Sequence, residues 1–353
     1  MNQKYILPFF LLFQIIILQF LPAFSAKVET YYSNGLYPKI ASFLRIIFGF
    51  VPFSVGDVAY FIVIILAIRW FWKNRKTWKE NWKNNFLRIL SALSLFYFFF
   101  HFLWAFNYYR ESLSDKMQIK KEYSDADLLQ FTNKLILKTN QIHSQINEND
   151  SLKVVYPYSK EATFSMNLNG YQNLSEQYAF FNYEKLSIKN SLFSLPLTYM
   201  GFGGYLNPFT NEAQVNGLMP IYNLPFTSCH EMAHQMGFAS ESECNFIGFL
   251  ATTKNDDLYY KYSGYSYALR YCLGLLSSQN EELFKATLAK VNPGVLENYR
   301  ESDDFWKQYE TPIETGFKIF YDNFLKINQQ RDGLESYSKF VDLMVNYYKT
   351  EEL

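Results

Sequence analysis

Three long apolar runs crowd into the first 107 of 353 residues and limit what this chain can fold into. Tyr5 to Phe24 carries no charge. Val51 to Trp72 carries only Asp57 near one end and Arg69 near the other, and Ile89 to Phe106 is dense in phenylalanine. Each is long enough to cross roughly 30 Å of hydrocarbon as a helix. Transmembrane helices are therefore expected near 5–24, 51–72 and 89–106, in a membrane region spanning 1–107. Five of the six tryptophans lie before residue 105. Trp70, Trp72, Trp78 and Trp82 suit one membrane–water interface, and Trp104, Tyr108 and Tyr109 the other.

The connection from Lys73 to Arg88 carries six basic residues against the single acid Glu80, which assigns it to the cytoplasmic side. The third span then delivers the rest of the chain outside the cytoplasm. A cleaved signal peptide ending near Ala23-Phe24-Ser25 is the alternative for the first run. That run is longer than a usual signal core and has only Lys4 before it, so an uncleaved helix is the better fit. Leu36 to Phe50, mixing Lys39 and Arg45 with apolar residues, reads as an interfacial helix on the outer face.

Residues 108–353 have ordinary mixed composition and are numerous enough for one sizeable core. The zero formal net charge gives no footprint for nucleic acid. Ser124-Asp125-Ala126-Asp127 opens an amphipathic helix running to about Ile146. Further helical stretches are expected near 265–276, 281–291, 314–327 and 335–349. Residues 150–198 are less regular, with short strands, and Glu212 to Met219 is a short extended segment among Gly-, Asn- and Pro-rich loops. The fold class is mainly α: three N-terminal transmembrane helices, then an α-rich (α+β) domain at 108–353.

Within that domain stands His230-Glu231-Met232-Ala233-His234. Imidazoles four residues apart on a helix lie on one face, a spacing that suits a single Zn²⁺, and Glu231 between them can serve as general base. Apart from Glu231, no charged residue lies between Asn223 and Ser240, as for a helix buried beneath a cleft. Gly237 can end it in the left-handed conformation. For the third ligand Glu241 is favoured, with Glu243 as the fallback. Ser240-Glu241-Ser242-Glu243 reads as a capping box in which Glu243 folds back on Ser240. A metzincin spacing fails because Ser240 stands where histidine or aspartate is needed. A thermolysin-like spacing finds only Asp256 and Asp257 near Lys254.

The stretch from Leu224 to Phe246 resembles the signature HExxHxxGFAxExEAN of an uncharacterised membrane-protein family, a domain of unknown function found largely in Bacteroidota. The likeness extends to Tyr37-Pro38, Pro52 to Ser54, Asn107 to Arg110, Pro208 to Thr210 and Tyr262 to Tyr265. Cys244 stands where that family has alanine. The segment also resembles gluzincin metallopeptidases. That resemblance implies a zincin-like domain, with His230, His234 and Glu241 holding zinc and Asn245 orienting a ligand histidine.

The reading that follows is a multi-pass protein of a bacterial inner membrane with its head on the periplasmic side. It would act as a zinc-dependent peptidase on peptide or protein, in contact with the lipid bilayer and not with nucleic acid. The competing reading is a non-catalytic envelope protein that uses the same fold to bind a partner. Tyr262 and Tyr265 are candidates for an oxyanion partner, although core packing is the better reading of them. His101 is expected to hydrogen-bond a neighbouring helix, and His143 to be solvated. Gly201-Phe202-Gly203-Gly204 reads as a flexible turn. Cys229, Cys244 and Cys272 lack metal spacing and read as buried free thiols.

Overall fold

The apolar runs become helices, though not all of them straight ones. In the computed structural model, which describes residues 3–120, 122–330 and 337–353, the N-terminal part contains α1 (Ile6–Leu18), α2 (Tyr37–Gly49), α3 (Val55–Asn74) and α4 (Trp82–Leu103). The helical stretches Val55–Thr77 and Trp82–Leu103 are long and apolar enough to cross a membrane. The first run differs from expectation. Its 13-residue helix reaches only about 20 Å, and Pro22, which lacks an N–H, sits in the next helical turn. The stretches Gln3–Leu18 and Leu21–Gly49 form a third span only as a pair bent by 55°. Helix α1 packs along α4, where Gln14 donates to the Ser94 hydroxyl at 3.1 Å.

The remainder comprises α5 (Asp125–Ile146), α6 (Lys160–Gln177), β1 (Ile188–Asn190), α7 (Ser194–Met200), β2 (Gly204–Asn207) and β3 (Glu212–Val215). It continues through α8 (Leu224–Gln235), α9 (Glu241–Lys254), α10 (Leu258–Gln279), α11 (Glu281–Leu288), α12 (Pro293–Lys307), α13 (Pro312–Ile327) and α14 (Tyr337–Tyr347). The expected start of the last helix at Glu335 lies outside the described residues. Ser124 opens α5 as anticipated: its hydroxyl accepts from Asp127 N, while the Asp127 carboxylate accepts from Ser124 N.

Helices α5, α6, α8, α9 and α10 surround a core that includes Leu128, Leu135, Phe246, Phe249 and Leu269, all buried. Burying side chains of this size is worth about 1.5–3 kcal/mol each. Helix α9 is buried along nearly its whole length, so it shows no polar face. Helix α6 falls in a region expected to be irregular; its asparagines, glutamines and interior Gly170 mask the helical period.

The sheet has the order β1-β3-β2, with β1 parallel and β2 antiparallel to β3. Glu212 to Val215 is thus the fully buried central strand and cannot accept another, whereas β2 is an edge.

Both candidate spanning helices are fastened to the sheet or to α8 at one end. The Glu212 carboxylate accepts from Val55 N at 3.1 Å and Gly56 N at 2.6 Å, at the start of α3, and pairs with buried Lys189 at 2.5 Å. Asp57 accepts from Ser191 Oγ, Leu192 N and the Tyr205 hydroxyl. The basic turn after α3 therefore lies at the far end from the domain.

Two histidine expectations need correction. His143 is fully buried, with Nε2 2.9 Å from the Leu152 carbonyl, because the loop after α5 folds back over it. His101 uses Nδ1 on Tyr97 of its own helix and packs among Tyr97, Phe100 and Phe106 rather than bonding a neighbour. The three cysteines are buried free thiols.

Candidate metal centre

Helix α8 carries His230 and His234 one turn apart, with ring centroids 4.9 Å from each other. Gly237 ends the segment at φ +88°, where a side chain would be strained. The chain then turns into α9, whose first residue is Glu241. Its carboxylate returns to the imidazoles: Oε2 is 3.3 Å from His230 Nε2 and Oε1 is 3.7 Å from His234 Nε2. Tetrahedral ligands at zinc–ligand distances of about 2.1 Å stand about 3.4 Å apart, so little movement separates this arrangement from coordination. One ligand atom from each of the three lies within 4.8 Å of the others, and the group could hold a metal ion.

Their surroundings fit that use. The Phe238 carbonyl lies 2.9 Å from His234 Nδ1, which sets Nδ1 as the donor and turns Nε2 toward Glu241. Phe238 thus orients the imidazole, a role the gluzincin resemblance implied for Asn245; no hydrogen bond to either imidazole comes from Asn245 among the described residues. Cys244 Sγ adds contacts to His234 Nδ1 at 3.2 Å and Phe238 O at 3.1 Å. Burial pushes its thiol up to about 11, against the pull of His234, so it is neutral at pH 7.

Glu231 is buried, and among the described residues Oε2 has no hydrogen-bond partner although it is shielded from solvent. An orphaned carboxylate oxygen beside two imidazoles is costly unless a water or an ion completes the site. Burial raises the Glu231 carboxyl to about 7, against the pull of His230 and His234 and with a further push from Glu241. At the other two groups burial opposes charge but loses. The imidazoles hold Glu241 well below its usual range, and the Glu241 carboxylate holds His234 well above.

Gly203 and Gly204 lead into β2 rather than forming a free turn. A Cβ on Gly204 would fall 2.7 Å from Glu231 Oε1 and 2.7 Å from the Gln214 carbonyl, so only glycine lets the edge strand lie against Glu231.

The expected capping box does not form. Ser240 precedes α9 with no capping bond and pairs with Ser242 at 2.9 Å. Glu243 turns away to accept from Leu113 N at 2.6 Å, so the fallback ligand is occupied elsewhere. Tyr262 and Tyr265 are also distant in role: the Tyr262 hydroxyl donates to Asn298 Oδ1 at 2.7 Å, and Tyr265 packs on Phe249. A hydroxyl that does reach the group is that of Tyr321 on α13, donating to Glu241 Oε1 at 2.7 Å. It lies 80 positions beyond Glu241, and no motif or spacing marks it among the 29 tyrosines.

The C-terminal end of α8 and the turn that follows it present backbone carbonyls to the N-terminal part of the chain. Three donors from the first 110 residues take them. Tyr37 Oη donates to Gln235 O at 2.9 Å, Trp104 Nε1 to His234 O at 3.0 Å and Arg110 Nη1 to Gly237 O at 2.9 Å. Arg110 also pairs with buried Glu29 at 2.9 Å, which Lys116 shares. The helix that carries His230 and His234 is thereby clamped by the N-terminal part of the chain.

Residues 32–345 match the family model described as Protein of unknown function (DUF3810), and the chain belongs to that family. No curated protein and no solved structure matches it.

Proposed function

We propose that this protein is a membrane-anchored, zinc-dependent peptidase whose head lies outside the cytoplasm. The observation that carries the reading is the convergence of His230, His234 and Glu241 beside a buried carboxylate, Glu231, one of whose oxygens has no partner among the described residues. His230 Nε2, His234 Nε2 and the Glu241 carboxylate would hold the ion. When bound, zinc supplies Lewis acidity toward a carbonyl oxygen and makes water more acidic. Glu231 Oε2 accepts a proton from the attacking water and returns it to the leaving nitrogen as the C–N bond breaks. The edge strand β2, which meets Glu231 at Gly204, is suited to aligning an extended peptide by main-chain hydrogen bonds. The basic connection Lys73 to Arg88, at the opposite ends of α3 and α4 from the head, supports that position.

Full-length protein purified in detergent tests this directly. Metal analysis should find about one zinc per chain, removable by chelator and strongly reduced in His230→Ala. Glu231→Gln should keep the metal while cleavage of a broad peptide library falls by about 10²–10⁴-fold. Absence of zinc from the wild-type chain overturns the reading. Bound zinc without hydrolysis in the wild type would instead support the partner-binding protein.

A further inference from the structure

An apolar band joins the domain-side ends of the two spanning helices. At the α3 end, Leu192 N donates to Asp57 at 2.7 Å, and Leu192 and Leu195 stand more than half exposed. Helix α7, which carries Leu195, packs against α13. On α13, Ile313, Phe320 and Ile327 are 64%, 61% and 74% exposed, and open space faces Gly316. At about 3.6 residues per turn these four positions fall within about 60° of arc. Phe324, at the margin of the stripe, meets Phe100 of α4 with ring centroids 6.3 Å apart. The charged pairs Glu314–Lys318 and Asp322–Lys326 occupy the opposite face.

We propose that α13 lies in the plane of the membrane interface, with lipid of the leaflet nearest the domain covering its apolar stripe together with Leu192 and Leu195. Continuity decides between lipid and protein as the occupant. The band begins at the first turn of one spanning helix and ends on the last turns of the other, beside Phe96 and Phe99, which are themselves exposed on α4. A bilayer flush with those helix ends reaches the stripe without any additional chain. The amphipathic layout of α13 is that of a helix lying on a membrane. Its Tyr321 hydroxyl meets Glu241, so the cover of the metal-ligand group would rest on the lipid surface.

Cys229, Cys244 and Cys272 are buried, so an introduced surface cysteine can be labelled selectively. The full chain would be reconstituted in phosphatidylcholine vesicles with an environment-sensitive fluorophore on Phe320→Cys or, on the charged face, Lys318→Cys. A nitroxide on the lipid acyl chain should quench the label at 320 at least about twofold more than at 318, and aqueous iodide should show the reverse order. Equal iodide quenching at both sites overturns the proposal. So does a label at 320 shielded from both quenchers, which would mean a protein occupant such as a second copy. Ile327→Cys repeats the measurement at the other end of the stripe, so a disturbance local to residue 320 does not decide the outcome.

Discussion

Helices α8 and α13 approach Glu241 from two sides and are built on opposite principles. Helix α8 is buried almost throughout. Its side chains meet α9 and the sheet, and its terminal carbonyls are clamped by Tyr37, Trp104 and Arg110. Helix α13 buries only Leu325 fully and reaches the site through Phe317 and Tyr321 on Phe202 and through Tyr321 on Glu241. The comparison separates two requirements. Ligand atoms must be held to fractions of an ångström, which calls for a packed and fully hydrogen-bonded helix. A covering element has to admit a substrate, and a lightly held helix suits that role.

The contrast breaks if α8 tolerates loss of its clamp. Arg110→Ala removes a donor to Gly237 and one partner of the buried Glu29 carboxylate, and should cost about 3 kcal/mol in thermal or denaturant unfolding. A loss below about 1 kcal/mol would mean that the membrane-proximal segment merely rests on the helix. A smaller effect is expected on the other side. Tyr321→Phe removes only the hydroxyl on Glu241, so zinc affinity should fall about tenfold with little change in unfolding, as seen by competition with a chelating dye. Unchanged affinity would separate α13 from the metal group. Smallest of all, Ile313→Ser on the exposed stripe should alter detergent-solubilised stability by no more than about 0.5 kcal/mol. A larger loss would show that α13 is packed as α8 is.

Much of the molecule is legible along the chain. Apolar runs read as candidate membrane helices from their length, and α3 and α4 are helices long and apolar enough to cross a membrane. The first run misleads because hydrophobicity measures length of sequence, not straightness, and Pro22 lies just past the end of α1. The third candidate ligand is legible because Glu241 is near His234 in sequence, with Gly237 reversing the chain between them. Glu243 reads as a cap because its spacing from Ser240 is right, yet Leu113 N, 130 positions away, takes its carboxylate.

Local chemistry, then, is set by the order of residues: one turn of helix joins His230 to His234, and a short reversal brings Glu241 back. Such contacts involve few backbone torsions and can be counted from spacing alone. The donors on α8, the close approach of Gly204 to Glu231 and the Tyr321 hydroxyl require the folded chain. Each joins segments far apart in sequence, and their meeting depends on how all the intervening elements pack together.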